Sequence, residues 1–229
     1  MSTELPPQRN DSEVIQILAT EHWSLLATRA LTYQESLGRV NMFLAILSGS
    51  VIALALVAQA DHFGTTFISI AIFMLTVVAV VGIFTVARLM SLNRDDFHWI
   101  MAMNRLRNAY LTRHPELEPY FLTGAYDDLY GVLRTMGFER PPVARSQMGG
   151  VVHGLQTLPG MLSVIVAAVA GAIAGLVAAG FGAGPLIVFL LGVAGFLLAL
   201  ILLVVWQRRD IMSSSGFAPR FPTPSKPPT

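Results

Sequence analysis

Three polar side chains, Asn41, Ser48 and Gln59, stand at spacings of seven and eleven residues inside an otherwise apolar run. With Thr20, Ser24, Ala27, Leu31, Gln34, Gly38, Ala45, Ile52 and Ala55 they form a series alternating steps of three and four, which keeps them on one side of a helix. Amide and hydroxyl groups so placed fit two chemistries. They line the water path of a homo-oligomeric pore, or they pack closely and hydrogen-bond between helices, each bond worth ~0.6–2 kcal/mol in a membrane. Ser69 and Thr76 pose the same question more weakly in the next apolar run. A second face of the same helix reads Trp23, Leu26, Ala30, Tyr33, Leu37, Val40, Leu44, Leu47.

Other residues invite chemistry with less support from spacing. Asp61 and His62 lie between two apolar runs, where a ring of carboxylates could concentrate cations and an imidazole could titrate. Both also suit a short turn. Gly171 and Gly175 form a small-residue motif that permits close backbone approach, for dimerisation or for packing on the next helix. His22, His98, His114 and His153 share no metal-ligand spacing. Glu21 and His22 could meet Asp95, Asp96 or His98 across two helices as a metal or acid–base site, but the usual exposure of charged groups favours a solvated helix surface. Asp127 and Asp128 fit a helix cap.

The sequence carries no phosphate-binding glycine loop, nucleophile motif or zinc motif, so no catalytic, cofactor-binding or metal-ligating residue is assigned and an enzyme is not expected. The chain has no cysteine, which excludes disulfides, thiolate metal sites and covalent c-type haem. A net charge of +1 gives no field that argues for nucleic acid.

Composition decides the fold class. Hydrophobic residues make up 54% and charged residues only 13%, about half the charged share of soluble domains. A helix crosses the hydrocarbon core with about 20 apolar residues. Val40–Ala60, Thr65–Ala87, Met161–Ala179 and Pro185–Trp206 each suffice and hold no ionisable residue. Asp61 to Gly64 separates the first two, and Gly180 to Gly184 the last two. The expected fold is therefore all-α: two transmembrane hairpins with a small helical cytoplasmic layer. A proton pump or voltage sensor is disfavoured, because such machines need charges at depth.

Orientation follows from the basic residues. Arg29 and Arg39 precede span one, Arg88 and Arg94 follow span two, Arg140 and Arg145 precede span three, and Arg208 and Arg209 follow span four. Neither hairpin loop holds Lys or Arg, so both termini are expected in the cytoplasm, with the spans in the plasma or inner membrane. Arg39, Arg88, Trp206, Arg208 and Arg209 are the expected interfacial anchors. The polar start, Met1 to Asn10, lacks the pattern of a cleavable signal.

The division along the chain is 1–11 disordered, 12–39 a cytoplasmic helix, 40–87 the first hairpin, 88–158 a cytoplasmic helical segment and interfacial linker, 159–207 the second hairpin, and 208–229 a disordered Pro/Ser-rich tail. Span two is expected to extend to about Arg113, where His114-Pro115 ends it. Pro115 to Phe121 suits a short helix, and Asp127 can cap another that closes at Gly137.

The stretch from Met103 to Phe121, M-N-R-L-R-N-A-Y-L-T-R-H-P-E-L-E-P-Y-F, resembles a segment of small bacterial multi-pass membrane proteins of unknown function. The preceding order of helix and hairpin is similar too, and the likeness covers most of the chain outside the two tails. It implies a four-helix membrane fold and carries no activity, cofactor or site. The function expected is a non-enzymatic interaction or assembly protein of the membrane. Its partners would be the lipid bilayer, its own copies, and a cytoplasmic protein met through 12–39 and 94–140. The alternative is a homo-oligomeric ion channel lined by Asn41, Ser48 and Gln59.

Overall fold

A computed structural model describes residues 11–137, 156–213 and 218–224. They form α1 (Asp11–Asp61), α2 (Thr65–Arg113), a 3-10 helix (Pro115–Tyr120), α3 (Leu129–Thr135), α4 (Leu158–Gly180) and α5 (Pro185–Ser213). The protein is all-helical, with no strand among the described residues. Four helices, α1, α2, α4 and α5, are long and apolar enough to cross a membrane. At 51 and 49 residues, α1 and α2 are more than twice the length a crossing needs. His114, whose backbone leaves the helical region before Pro115, ends α2 at the expected place.

The chain divides into two compact units: an apolar one, residues 33–94 and 145–216, and a polar one, residues 1–32, 95–144 and 217–229. In the apolar unit Phe43 of α1, Val78, Val86 and Leu89 of α2, Leu162 and Val166 of α4, and Leu203 of α5 form one buried cluster. Gly82 sits where α1, α2 and α4 approach: a Cβ there would stand 2.5 Å from a Val166 methyl and 3.0 Å from the Phe43 ring. The apolar stretch of α4 is 39% buried, against 6% for those of α1 and α5, so α4 is the inner helix. Fully buried Ser163 donates to the Pro159 carbonyl (2.7 Å) and accepts from the Gln207 amide (2.7 Å). Those bonds satisfy a hydroxyl that burial would otherwise penalise.

In the polar unit Leu25, Ile100, Met101, Met103 and Val132 make a small core. Asn104, fully buried, donates to the Tyr126 carbonyl (2.8 Å) and accepts from Arg107 (2.7 Å) and Thr135 (3.0 Å), tying α2 to α3. Asp128, not Asp127, is the N-cap of α3, accepting from Gly131 N at 2.8 Å.

Where composition predicts a disordered tail from 208 onward, α5 continues to Ser213 and residues 218–224 take up a defined course. Asp127 and Asp128 hold that course through acceptors that the Ser/Pro content of the tail does not reveal. The expected disordered start (1–10), most of the interfacial linker with Arg140, Arg145 and His153, and positions 214–217 and 225–229 lie outside the described residues.

Candidate functional site

The small and polar face of α1 is exposed along its whole length. Thr20, Ser24, Ala27, Leu31, Gln34, Gly38, Asn41, Ala45, Ser48, Ile52, Ala55 and Gln59 are all exposed. A Cβ added at Gly38 or Gly49 would meet nothing within 4 Å. The helix buries its opposite side, through Ser36, Phe43 and Ala58. Among the described residues the side chains of Asn41, Ser48 and Gln59 make no hydrogen bond, whereas neighbouring Ser50 bonds back to the Ile46 carbonyl at 2.8 Å. Among the described residues this face is therefore not packed against another helix. Ser69 and Thr76 of α2 satisfy themselves on the Thr65 and Ile72 carbonyls.

Of the second face, Trp23, Tyr33 and Leu37 are exposed, while Val40 and Leu47 pack against the apolar core. The buried line through Phe43 is the one that sequence reasoning missed. The faces of α1 on either side of that line, with Leu37, Leu44 and Val51 on one and Met42 and Ile46 on the other, are as hydrophobic as it is, so periodicity alone could not select it.

Gly171 and Gly175 face α5. A Cβ at Gly171 would stand 2.7 Å from the Gly192 carbonyl oxygen and 3.0 Å from Phe196 Cβ, while one at Gly175 would make ordinary contact with Val188 at 3.5 Å. Of the two uses open to this motif, it packs α4 on its neighbour.

Asp61 closes the turn after α1. Its Oδ2 accepts from Phe67 N at 2.7 Å, and its carbonyl accepts from Gly64 N at 2.9 Å, capping the first turn of α2. His62 (φ +47°) and Phe63 (φ +62°) take the left-handed conformation that this turn demands. An apolar recess beside them is lined by Val51, Ala55, Gln59, His62 and Phe67.

The arginines outside the apolar runs are mostly matched. Arg88 donates to both oxygens of Glu35 (3.0 and 3.1 Å), and Arg39 adds a third bond at 2.9 Å. The Arg88 bonds, then those of Arg39, hold the Glu35 carboxyl below its usual range despite the opposing effect of burial. Arg94 pairs with Asp210. In the polar unit Arg29 pairs with Asp96 (2.5 Å), and Arg113 approaches Asp11 (3.5 Å). His22 stacks on Tyr110 (centroids 6.0 Å apart) rather than meeting Asp95 or Asp96. Trp206, Arg208 and Arg209 are exposed at the end of α5.

Asp127 has no exposed surface. It accepts from Arg105 Nε (2.6 Å), Arg220 N (2.9 Å) and Phe221 N (2.7 Å). Burial raises its pKa, but the backbone bond from Arg220, the Arg105 guanidinium and the bond from Phe221 outweigh it and leave the carboxyl below its usual range. Asp128 accepts from Thr223 N (3.1 Å) and Thr223 Oγ1 (2.9 Å). No group of three His, Cys, Asp or Glu that could hold a metal ion occurs among the described residues. No family model, curated protein or solved structure matches the chain.

Proposed function

We propose that this protein is a non-enzymatic assembly protein of the cytoplasmic membrane that associates with copies of itself through the small and polar face of α1. The four apolar helices cross the bilayer as two hairpins, α1 with α2 and α4 with α5. The basic residues that flank them keep both termini in the cytoplasm. The observation that carries the reading is the exposure of Asn41, Ala45, Ser48 and Gln59 on one line, with their polar groups unpartnered among the described residues. An amide left facing hydrocarbon is costly. A second copy inserted with the same orientation removes that cost, because its α1 presents the same small residues and amides at matching depth. Gly38, Ala45 and Ala55 let the two backbones approach, and each interhelical bond adds ~0.6–2 kcal/mol.

Oligomeric state in lipid nanodiscs tests the reading. The native chain assembles, and Ser48→Trp, which fills the contact, shifts it to single copies. A native chain that stays single at every protein-to-lipid ratio contradicts the proposal.

A second reading draws on the same observation. In a larger ring the face would line water, and Asn41, Ser48 and Gln59 would wet a pore. Ion flux through liposomes separates the two, since packing alone gives none.

A further inference from the structure

From Val164 to Val205 no side chain carries a hydroxyl, an amide or a charge, and the run passes through the turn between α4 and α5 without a break. That turn, Phe181 to Gly184, has only glycine, alanine and phenylalanine to show its surroundings. Phe181 is 88% exposed, and the exposed apolar surface continues onto Leu186, Ile187 and Phe189 of α5. Such a surface is unfavourable in water. The turn between α1 and α2 differs, because it holds Asp61 and an exposed His62. We propose that the turn between α4 and α5 does not emerge from the bilayer: it closes within the leaflet opposite Arg208 and Arg209, with Phe181 among the acyl chains. This rests on the membrane crossing proposed for the four helices.

Backbone bonding suits that position. A main-chain N–H left unmet in hydrocarbon is costly. Here Phe181 N donates to the Val177 carbonyl (3.2 Å), Gly182 N to that of Ala179 (2.9 Å) and Ala183 N to that of Ala178 (3.1 Å). Gly182 takes φ +76°, which lets the chain turn back on itself so tightly. Pro185 brings no N–H, and the Gly184 carbonyl accepts from Ile187 N and Val188 N (3.0 and 3.1 Å).

Depth agrees. From Trp206 to Pro185, α5 rises about 32 Å at 1.5 Å per residue. The hydrocarbon core is about 30 Å thick, with roughly 5–8 Å of headgroup on either side. With Trp206 at one boundary, the turn ends beneath the opposite headgroups. The first turn reaches further. A Cβ added at Gly180 would stand 3.5 Å from the Ile68 Cγ2 methyl. Ile68 lies one helical turn inside Gly64, to whose carbonyl its N–H donates at 3.1 Å. The turn after α4 thus closes nearer the bilayer centre than the turn after α1. Of the two, only the first offers polar side chains, Asp61 and His62, to the far side.

The test places a nitroxide on single cysteines in the full chain, which has no cysteine of its own, held in phospholipid nanodiscs. His62→Cys labels the first turn; Phe181→Cys and Gly184→Cys label the second, and a Cβ at Gly184 meets nothing within 4 Å. Power saturation compares collisions with oxygen, which concentrates in lipid, and with a nickel chelate, which stays in water. The proposal predicts oxygen access with loss of nickel access at 181 and 184, and nickel access at 62. Nickel access at 184 equal to that at 62 overturns it. Shielding of 181 and 184 from both reagents overturns the lipid contact in favour of a protein cover. A label at 62 that nickel does not reach contradicts the membrane crossing itself, and the proposal with it.

Discussion

Asp127 and Phe221, far apart in the chain, exchange hydrogen bonds: Phe221 N donates to Asp127 Oδ1 at 2.7 Å, and Asp127 N donates to the Phe221 carbonyl at 3.1 Å. With Arg220 N and the two Thr223 bonds to Asp128, this pair straps residues 220–223 to the turn before α3. Removing residues 217–229 leaves the fully buried Asp127 with Arg105 alone. The truncated chain should lose about 3 kcal/mol in the polar unit, typical of a buried charge stripped of its partners. Hydrogen exchange of α3 and Tyr126 amides checks this, and unchanged protection would count against the strap.

The same carboxyl sets a pH dependence. Its folded pKa is depressed, so its contribution is complete above the ordinary aspartate value of about 3.9 and is lost as pH falls through the lower folded value. Protection at 220–223 should therefore hold from pH 7 to 5 and fail only in stronger acid. Asp127→Asn should remove that step, together with much of the stability at neutral pH.

Gly171 and Gly175 give opposite predictions from one motif. Gly171→Ala drives its methyl to 2.7 Å from the Gly192 carbonyl and should destabilise the contact of α4 with α5 by about 1–3 kcal/mol. Gly175→Ala meets Val188 at ordinary distance and should be neutral, or stabilising by up to about 1 kcal/mol through helix propensity. Equilibrium unfolding in mixed micelles distinguishes them; equal losses would mean the packing is misread.

Glu35 joins Arg88 to Arg39 at the end of the apolar unit. Glu35→Gln should lower thermal stability, and the difference from the native chain should shrink as salt rises, because the three groups are part-exposed and screened. A deficit independent of salt would point to packing instead of charge.

Much of this was legible in the residues. The limits of the apolar runs, the stop at His114-Pro115, the turn at Asp61 and the membership of the small and polar face of α1 follow from length, proline chemistry and a strict three-four spacing, whereas the exposure of that face does not. Three features were not. Glu35 and Arg88 meet across two long helices, and no local pattern announces such a pair. The strap depends on Asp127 finding backbone N–H groups almost a hundred positions away, while the tail's Ser and Pro content speaks only of weak propensity. Phe43 stands at the centre of the core, but its face of α1 is no more hydrophobic than the face beside it.

Asn41 tests how the exposed stripe is used. Asn41→Leu removes an amide and keeps the volume, so assembly should weaken while liposome ion flux stays unchanged. A selective change in flux at constant oligomeric state would favour the pore.

The most direct measurement uses the absence of native cysteine. Single cysteines placed in turn at each position from 41 to 59, with Phe73→Cys on the exposed side of α2 as reference, are oxidised in native membranes. The account predicts disulfide-linked dimers at 41, 45, 48, 52, 55 and 59, falling away at positions between them and absent at 73. Equal cross-linking at all positions, or none on α1, would contradict assembly through this face.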